Sequence, residues 1–131
     1  EVYQRYNPQS GYEILTAIIK KNRREAIKML ENLFSQVDYP GQIIYLLSTC
    51  LHNLLLGKSL RAQGVNEKAV TVQLRLFFNN EKLYNNLLQQ IPVLKLRQFF
   101  ASALQADWEL KRGKTTPQLA VEHLVFNLLA I

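Results

Sequence analysis

Reactive chemistry is scarce in this sequence. In 131 residues there is one cysteine, Cys50, and two histidines, His52 and His123. A lone thiol can form no intrachain disulfide and build no zinc site. Cys50 sits in an apolar run and reads as buried and inert, which suits a reducing cytoplasm. The histidines are far apart, and the only acidic residue beside either is Glu122, next to His123. Adjacent helix positions diverge by about 100°, a poor geometry for chelation. Both histidines therefore read as structural. The chain has no GxxxxGK[ST] loop and no GxGxxG, so no phosphate-cradling turn is visible. No catalytic, cofactor-binding or metal-ligating residue is assigned, and no cofactor is expected.

Long apolar runs are also missing. The longest, Ile43 to Leu56, is interrupted by Ser48, Thr49, His52 and Asn53 and is too short to span a bilayer. No signal peptide opens the chain. These absences exclude a membrane role and favour a cytoplasmic one. The hydrophobic fraction of 48% is ordinary for a globular protein and argues against disorder. The length suits one domain with a core closed without disulfides or metal. The formal net charge of +6 fits an acidic partner, either nucleic acid or an acidic protein face.

What is present is helical periodicity. Residues 1–9 are polar, include Pro8, and read as a linker remnant, so the domain proper is expected over 10–131. The start at Glu1 rather than Met points to a longer parent chain. Ser10 and Glu13 have capping-box spacing ahead of Ile14, Leu15, Ile18 and Ile19. Asn22 and Glu25 repeat that spacing before Ala26, Ile27, Leu30, Leu33, Phe34 and Val37. Between the two stripes lie Lys20, Lys21, Arg23, Arg24 and Lys28, either a solvated turn or a phosphate contact. Asp38 and Pro40 open a third helix, from about Gly41 to Gln63. Its apolar residues cover a broad arc, which places it at the centre of the fold. Gly57 is a candidate kink, and Gly64 a left-handed stop.

A short helix follows from about Asn66 to Leu74, although the alternation Val70, Val72, Leu74, Leu76 is compatible with a strand. Asn79 or Asn80 is expected to cap a helix that turns Leu83, Tyr84, Leu87 and Leu88 inward. Pro92 breaks it. A long helix then carries Leu94, Leu96, Phe99, Phe100, Ala103, Leu104, Trp108 and Leu110 to a stop at Gly113. Thr116 and Pro117 start the last helix, which is expected to bury Leu119, Ala120, Leu124, Leu128 and Leu129. The fold class is all-α, a compact bundle of about seven helices. Asp107 and Lys111, four residues apart, have the order of a helix-stabilising ion pair. General acid-base work would need a second titrating group and a pocket, and the sequence shows neither.

Three stretches, GYEILTAIIKKNRREAIKMLENLF, IIYLLSTCLHNLLLGKSLRAQGVNEKAV and LRQFFASALQADWELKRGKTTPQLAVEHLVFNLL, together resemble the C-terminal third of the delta subunit of bacterial DNA polymerase III. The likeness covers nearly the whole chain from Gly11. It rests on the Ala26/Ile27/Leu30 stripe and on Gly64 before a short segment. Its most specific piece is the Asp107/Lys111/Gly113 block with the last Leu-rich helix. Thr71 to Val93 match least.

The resemblance implies a clamp-loader collar domain that holds a pentamer of subunits together. The implied partners are the ATPase subunits and delta-prime. The sliding clamp would be met only through N-terminal ATPase-like domains absent from this chain. An assembly role needs a rigid body and an apolar patch, for which Tyr84, Phe99, Phe100, Trp108 and Phe126 are candidates beside the simpler reading of core packing. Primer-template DNA is a further possible partner through Lys111, Arg112 and Lys114, which otherwise read as favourable cations at a helix C-terminus. The alternative function is direct DNA binding, on the net charge and a helix-turn-helix-like stretch from Asn66 to Gln90. Against it, the second helix of that stretch offers only Lys82 as a cation.

Overall fold

Each apolar stripe becomes a helix. The computed structural model describes residues 8–74 and 81–131. Among them are α1 (Pro8–Ile19), α2 (Arg23–Gln36), α3 (Gly41–Ala62), α4 (Glu67–Gln73), α5 (Glu81–Gln90), α6 (Val93–Lys111) and α7 (Pro117–Ala130), and no strand. The all-α expectation holds. The strand-like alternation is helical through Gln73, with Val70 buried and Val72 exposed; Leu76 lies outside the described residues, as do Asn79 and Asn80.

Helix starts follow the side-chain chemistry at three of the expected places. Asn22 Oδ1 accepts from the Glu25 amide at 3.2 Å and Asn66 Oδ1 from the Ala69 amide at 2.9 Å. Thr116 Oγ1 accepts from Leu119 at 3.3 Å, with Pro117 in the first turn. The Ser10–Glu13 box does not form. Here α1 begins at Pro8, so Pro8 and Gln9 belong to the helix and Ser10 is already inside it. Glu13 is taken instead by Gln9, whose Nε2 donates to Oε2 at 3.1 Å.

Three helices end in the same way. In each, an amide bonds back five residues and the preceding amide three: Val65 to Leu60 with Gly64 to Arg61, Lys114 to Glu109 with Gly113 to Leu110, and Asn22 to Ala17 with Lys21 to Ile18. This arrangement demands a left-handed residue. Gly64 (φ 93°) and Gly113 (φ 73°) supply it in two cases; Lys21 (φ 59°) supplies it in the third. A Cβ in that conformation costs about 1 kcal/mol or more. The compensation is visible: Lys21 Nζ donates to the Leu129 carbonyl at 2.6 Å, near the C-terminus of α7, where a cation is favourable. Lys21→Ala keeps the strain and loses the bond, and is expected to destabilise the fold by about 1 kcal/mol. Lys21→Gly loses both, and is expected to stay within about 0.5 kcal/mol of the native chain. Urea melts of the two variants check this; equal losses would show that the backbone at Lys21 is not strained.

The core forms around α3, which packs against α1, α4, α5, α6 and α7. Its Ile43, Leu47, Leu51 and Leu54 are fully buried, and Ile44 and Leu46 widen that face as expected. By length and composition α3 is apolar enough to cross a membrane, but its apolar side is spent on these neighbours. Gly57 was a candidate kink, and α3 continues past it to Ala62. The glycine marks a close approach: a Cβ there would meet the Tyr84 hydroxyl and touch Leu88. That hydroxyl donates to the Asn53 carbonyl at 2.7 Å, and Asn53 Nδ2 donates to the Tyr12 hydroxyl at 3.2 Å. The Tyr12 and Tyr84 rings meet edge to face at 5.5 Å, and Tyr12 also hydrogen-bonds Cys50. A knot of polar groups on α1, α3 and α5 is thus satisfied inside an apolar core.

Candidate assembly face and basic turns

The long helix α6 is apolar on two opposite sides. Leu96, Phe99 and Ala103 point into the core and are buried. On the far side, spaced at helical intervals, Leu94 is 74% exposed, Leu104 50% and Trp108 51%. Core packing explains the first set and cannot explain the second. Other helices also expose apolar side chains, with Tyr45 and Leu56 on α3 and Leu119 and Phe126 on α7. Leu119 was expected inside; the helix turns it to the side away from Val121, Leu124 and Val125, which fill the core.

The five candidate interface aromatics separate into two groups. Tyr84 and Phe99 have no exposed surface and belong to the core, Tyr84 to the polar knot and Phe99 to the inner face of α6. Neither can seed a contact with a second chain. Phe100 is half-buried, with its ring 6.0 Å from that of His52 at the junction of α3 and α6. Trp108 and Phe126 are exposed. Both histidines are exposed, with His52 against Phe100 and His123 lining a groove of about 410 Å³ between α6 and α7. Small side chains, among them Ala101, Ser102, Ala106 and Ala120, open that groove. Among the described residues no three His, Cys, Asp or Glu side chains come close enough to hold a metal.

The three candidate DNA-contacting cations do come together, at the end of α6. They are not equally available. Lys111 Nζ pairs with Asp107 Oδ2 at 2.9 Å, the ion pair that the spacing suggested. At such exposure the pair is worth about 0–1 kcal/mol. The Arg112 guanidinium lies 4.2 Å from the centroid of the Trp108 ring, a cation–π contact. Lys114 makes no ion pair among the described residues. The aromatic patch and the basic loop, assigned separately from the sequence, therefore meet at Trp108 and Arg112 as one surface.

Sequence reasoning missed Leu94, Leu104, Tyr45 and Leu56 as surface residues. The signal was present on α6, whose apolar positions fall on opposite sides of a helical wheel. A helix with one core face has no need of the second.

Among the described residues, the titratable groups that burial shifts lie in the polar knot. Burial pushes the Cys50 thiol up to about 12, and it pushes the hydroxyls of Tyr12 and Tyr84 well above the ordinary tyrosine range. All three are therefore held neutral, which makes them structural groups and not nucleophiles.

A rigid helical body, a polar knot locked in its neutral form and an apolar surface ridge define a scaffold domain that acts by contact. Its lineage is specific. Residues 8–128 match the family described as DNA polymerase III delta subunit, C-terminal domain, and the chain belongs to that family. It is 26% identical over 121 residues to the DNA polymerase III subunit delta of Bacillus subtilis (strain 168), covering 92% of this chain and 35% of that protein. Among solved structures it is similar to the Bacillus subtilis DNA clamp loader delta protein, with a TM-score of 0.82 at 25% identity. That likeness covers 95% of this chain and 37% of the other. The chain thus spans about a third of the length of these relatives.

Proposed function

We propose that this chain is the subunit-assembly (collar) domain of a clamp-loader delta subunit. In this role it binds the corresponding helical domains of the ATPase subunits and delta-prime, in the cytoplasm. The resulting pentamer would load the sliding clamp onto primed DNA in replication, and contact with the clamp itself would fall to domains outside this chain. The observation that carries the reading is the outer ridge of α6, Leu94, Leu104 and Trp108, with Phe126 also exposed on α7. A ridge of this kind on a member of this family fits the buried centre of a subunit contact, where aromatic side chains are enriched.

The test combines this chain, or a parent subunit carrying it, with the other clamp-loader subunits, read out by size-exclusion chromatography with light scattering. Leu104→Glu with Trp108→Glu places two charges on the ridge and is expected to weaken assembly about 30-fold or more, as for central interface positions. The thermal melt should be nearly unchanged, because neither side chain is in the core. Assembly at native strength in this variant would remove the ridge from the interface.

A second reading, direct contact with primer-template DNA, draws on the exposed Arg112 and Lys114 beside that ridge.

A further inference from the structure

The densest cluster of cations lies away from the ridge, on the turn between α1 and α2. Lys20, Lys21, Arg23, Arg24 and Lys28 are all exposed there, against the single carboxylate of Glu25. Lys21 is committed to the Leu129 carbonyl. The other four make no ion pair among the described residues. The turn is also rigid. The 2.9 Å bond from Asn22 to Ala17, the 3.0 Å bond from Lys21 to Ile18 and the anchor on α7 fix its backbone, so the cations stand on a preformed platform.

The composition of the patch selects the ligand. Protein interfaces are built around apolar and aromatic centres and are depleted in lysine. Residues 20–28 contribute none of the exposed large hydrophobic side chains. A patch of cations without an apolar centre suits a polyanion read through its charge alone, and arginine forks match phosphate oxygens in pairs. We propose that this turn is a sequence-independent contact for the phosphate backbone of a nucleic-acid strand, made by Lys20, Arg23, Arg24 and Lys28. The inference does not depend on the assembly reading. The site is also separate from the Arg112/Lys114 loop. The turn is pinned at one end of α7 and the loop precedes the other, about 20 Å away along a 14-residue helix.

The test is fluorescence anisotropy of labelled oligothymidine and of a labelled duplex with this chain, from 50 to 200 mM salt. Four phosphate contacts on a single strand predict a slope of log K against log[salt] of about −3. In Arg23→Glu/Arg24→Glu the affinity at low salt is expected to fall at least tenfold and the slope to flatten by about 1.4. Arg23→Gln/Arg24→Gln should fall between that variant and the native chain, and circular dichroism melts verify that both variants fold. A preference for the single strand or for the duplex identifies the form recognised, and either supports the site. Three results would overturn the proposal: no salt-dependent binding by the native chain, a loss confined to Arg112→Glu/Lys114→Glu, or equal competition by polyglutamate, which would assign the patch to an acidic protein.

Discussion

Gly57→Ala is expected to lower the stability of this chain by about 2–4 kcal/mol, the range of overpacked or strained core sites. Alanine is the better helix former, and on an exposed helix the change would stabilise by about 1 kcal/mol. Here the sign reverses because the added methyl group falls on the Tyr84 hydroxyl and against Leu88. The tyrosine cannot swing aside. Its hydroxyl is bonded to the Asn53 carbonyl, its ring meets Tyr12 edge to face, and it has no exposed surface. Moving it would break the bond and open the joint between α3 and α5. A double-mutant cycle isolates the cause. Tyr84→Phe removes the clashing oxygen at a cost of about 1 kcal/mol, and in that background Gly57→Ala should cost at least 1 kcal/mol less than in the native chain. Denaturant melts of the four proteins measure the coupling; additive costs would mean that the hydroxyl is not what the glycine accommodates.

Alkali should unfold the protein through the same knot. The Cys50 thiol ordinarily ionises near 9.0, and burial holds it protonated to about 12. Tyr12 and Tyr84 ordinarily ionise near 10.0 and are pushed higher, again by burial. For a group whose folded pKa is raised, the stabilisation is complete below the unfolded value and is lost as pH climbs toward the folded one. In this window the unfolded chain has released protons that the folded chain retains. The loss begins above pH 9 with Cys50, at about 1.4 kcal/mol per pH unit, and steepens above pH 10 as the two tyrosines join. By about pH 11 the combined loss reaches roughly 5 kcal/mol, comparable to the whole stability of a marginal domain. In a chain whose other tyrosines, Tyr3, Tyr6, Tyr39 and Tyr45, are replaced by phenylalanine, far-ultraviolet circular dichroism and tyrosinate absorbance should therefore change together and reversibly in strong alkali. Tyrosinate forming while the helices remain intact would show that the hydroxyls are not sealed.

The helices were legible in the sequence because their signals are local. Asn22, Asn66 and Thr116 cap by reaching an amide three residues on, and Gly64 and Gly113 stop helices through their own backbone freedom. The first helix was expected to end near Lys21, but the left-handed conformation of Lys21 itself was not legible. Its compensation comes from Leu129, 108 positions away, and no local pattern encodes that. Ser10 was read as the start of α1 from its capping-box spacing, and spacing alone does not show that Pro8 and Gln9 before it are already helical.

The candidate site was legible in part for a related reason. Aromatic residues mark cores and interfaces alike, and only burial separates Tyr84 and Phe99 from Trp108 and Phe126. Gly57 read as a candidate kink because the side chain it makes room for belongs to another helix. On α6, Leu94 and Leu104 were read as part of one apolar run with Phe99, although the wheel turns them toward the opposite side.

Under the proposed assembly role, the two-sided character of α6 has a consequence for the life of the protein before it meets its partners. A newly made copy can complete its fold, since the inner face of α6 closes against α3 and α7, yet it keeps the outer ridge wet. Its colloidal stability then depends on the supply of binding partners more than on its own folding free energy. Copies made in excess should self-associate or be removed while still natively folded. For such a protein, synthesis in proportion to its partners matters as much as any substitution that strengthens the core.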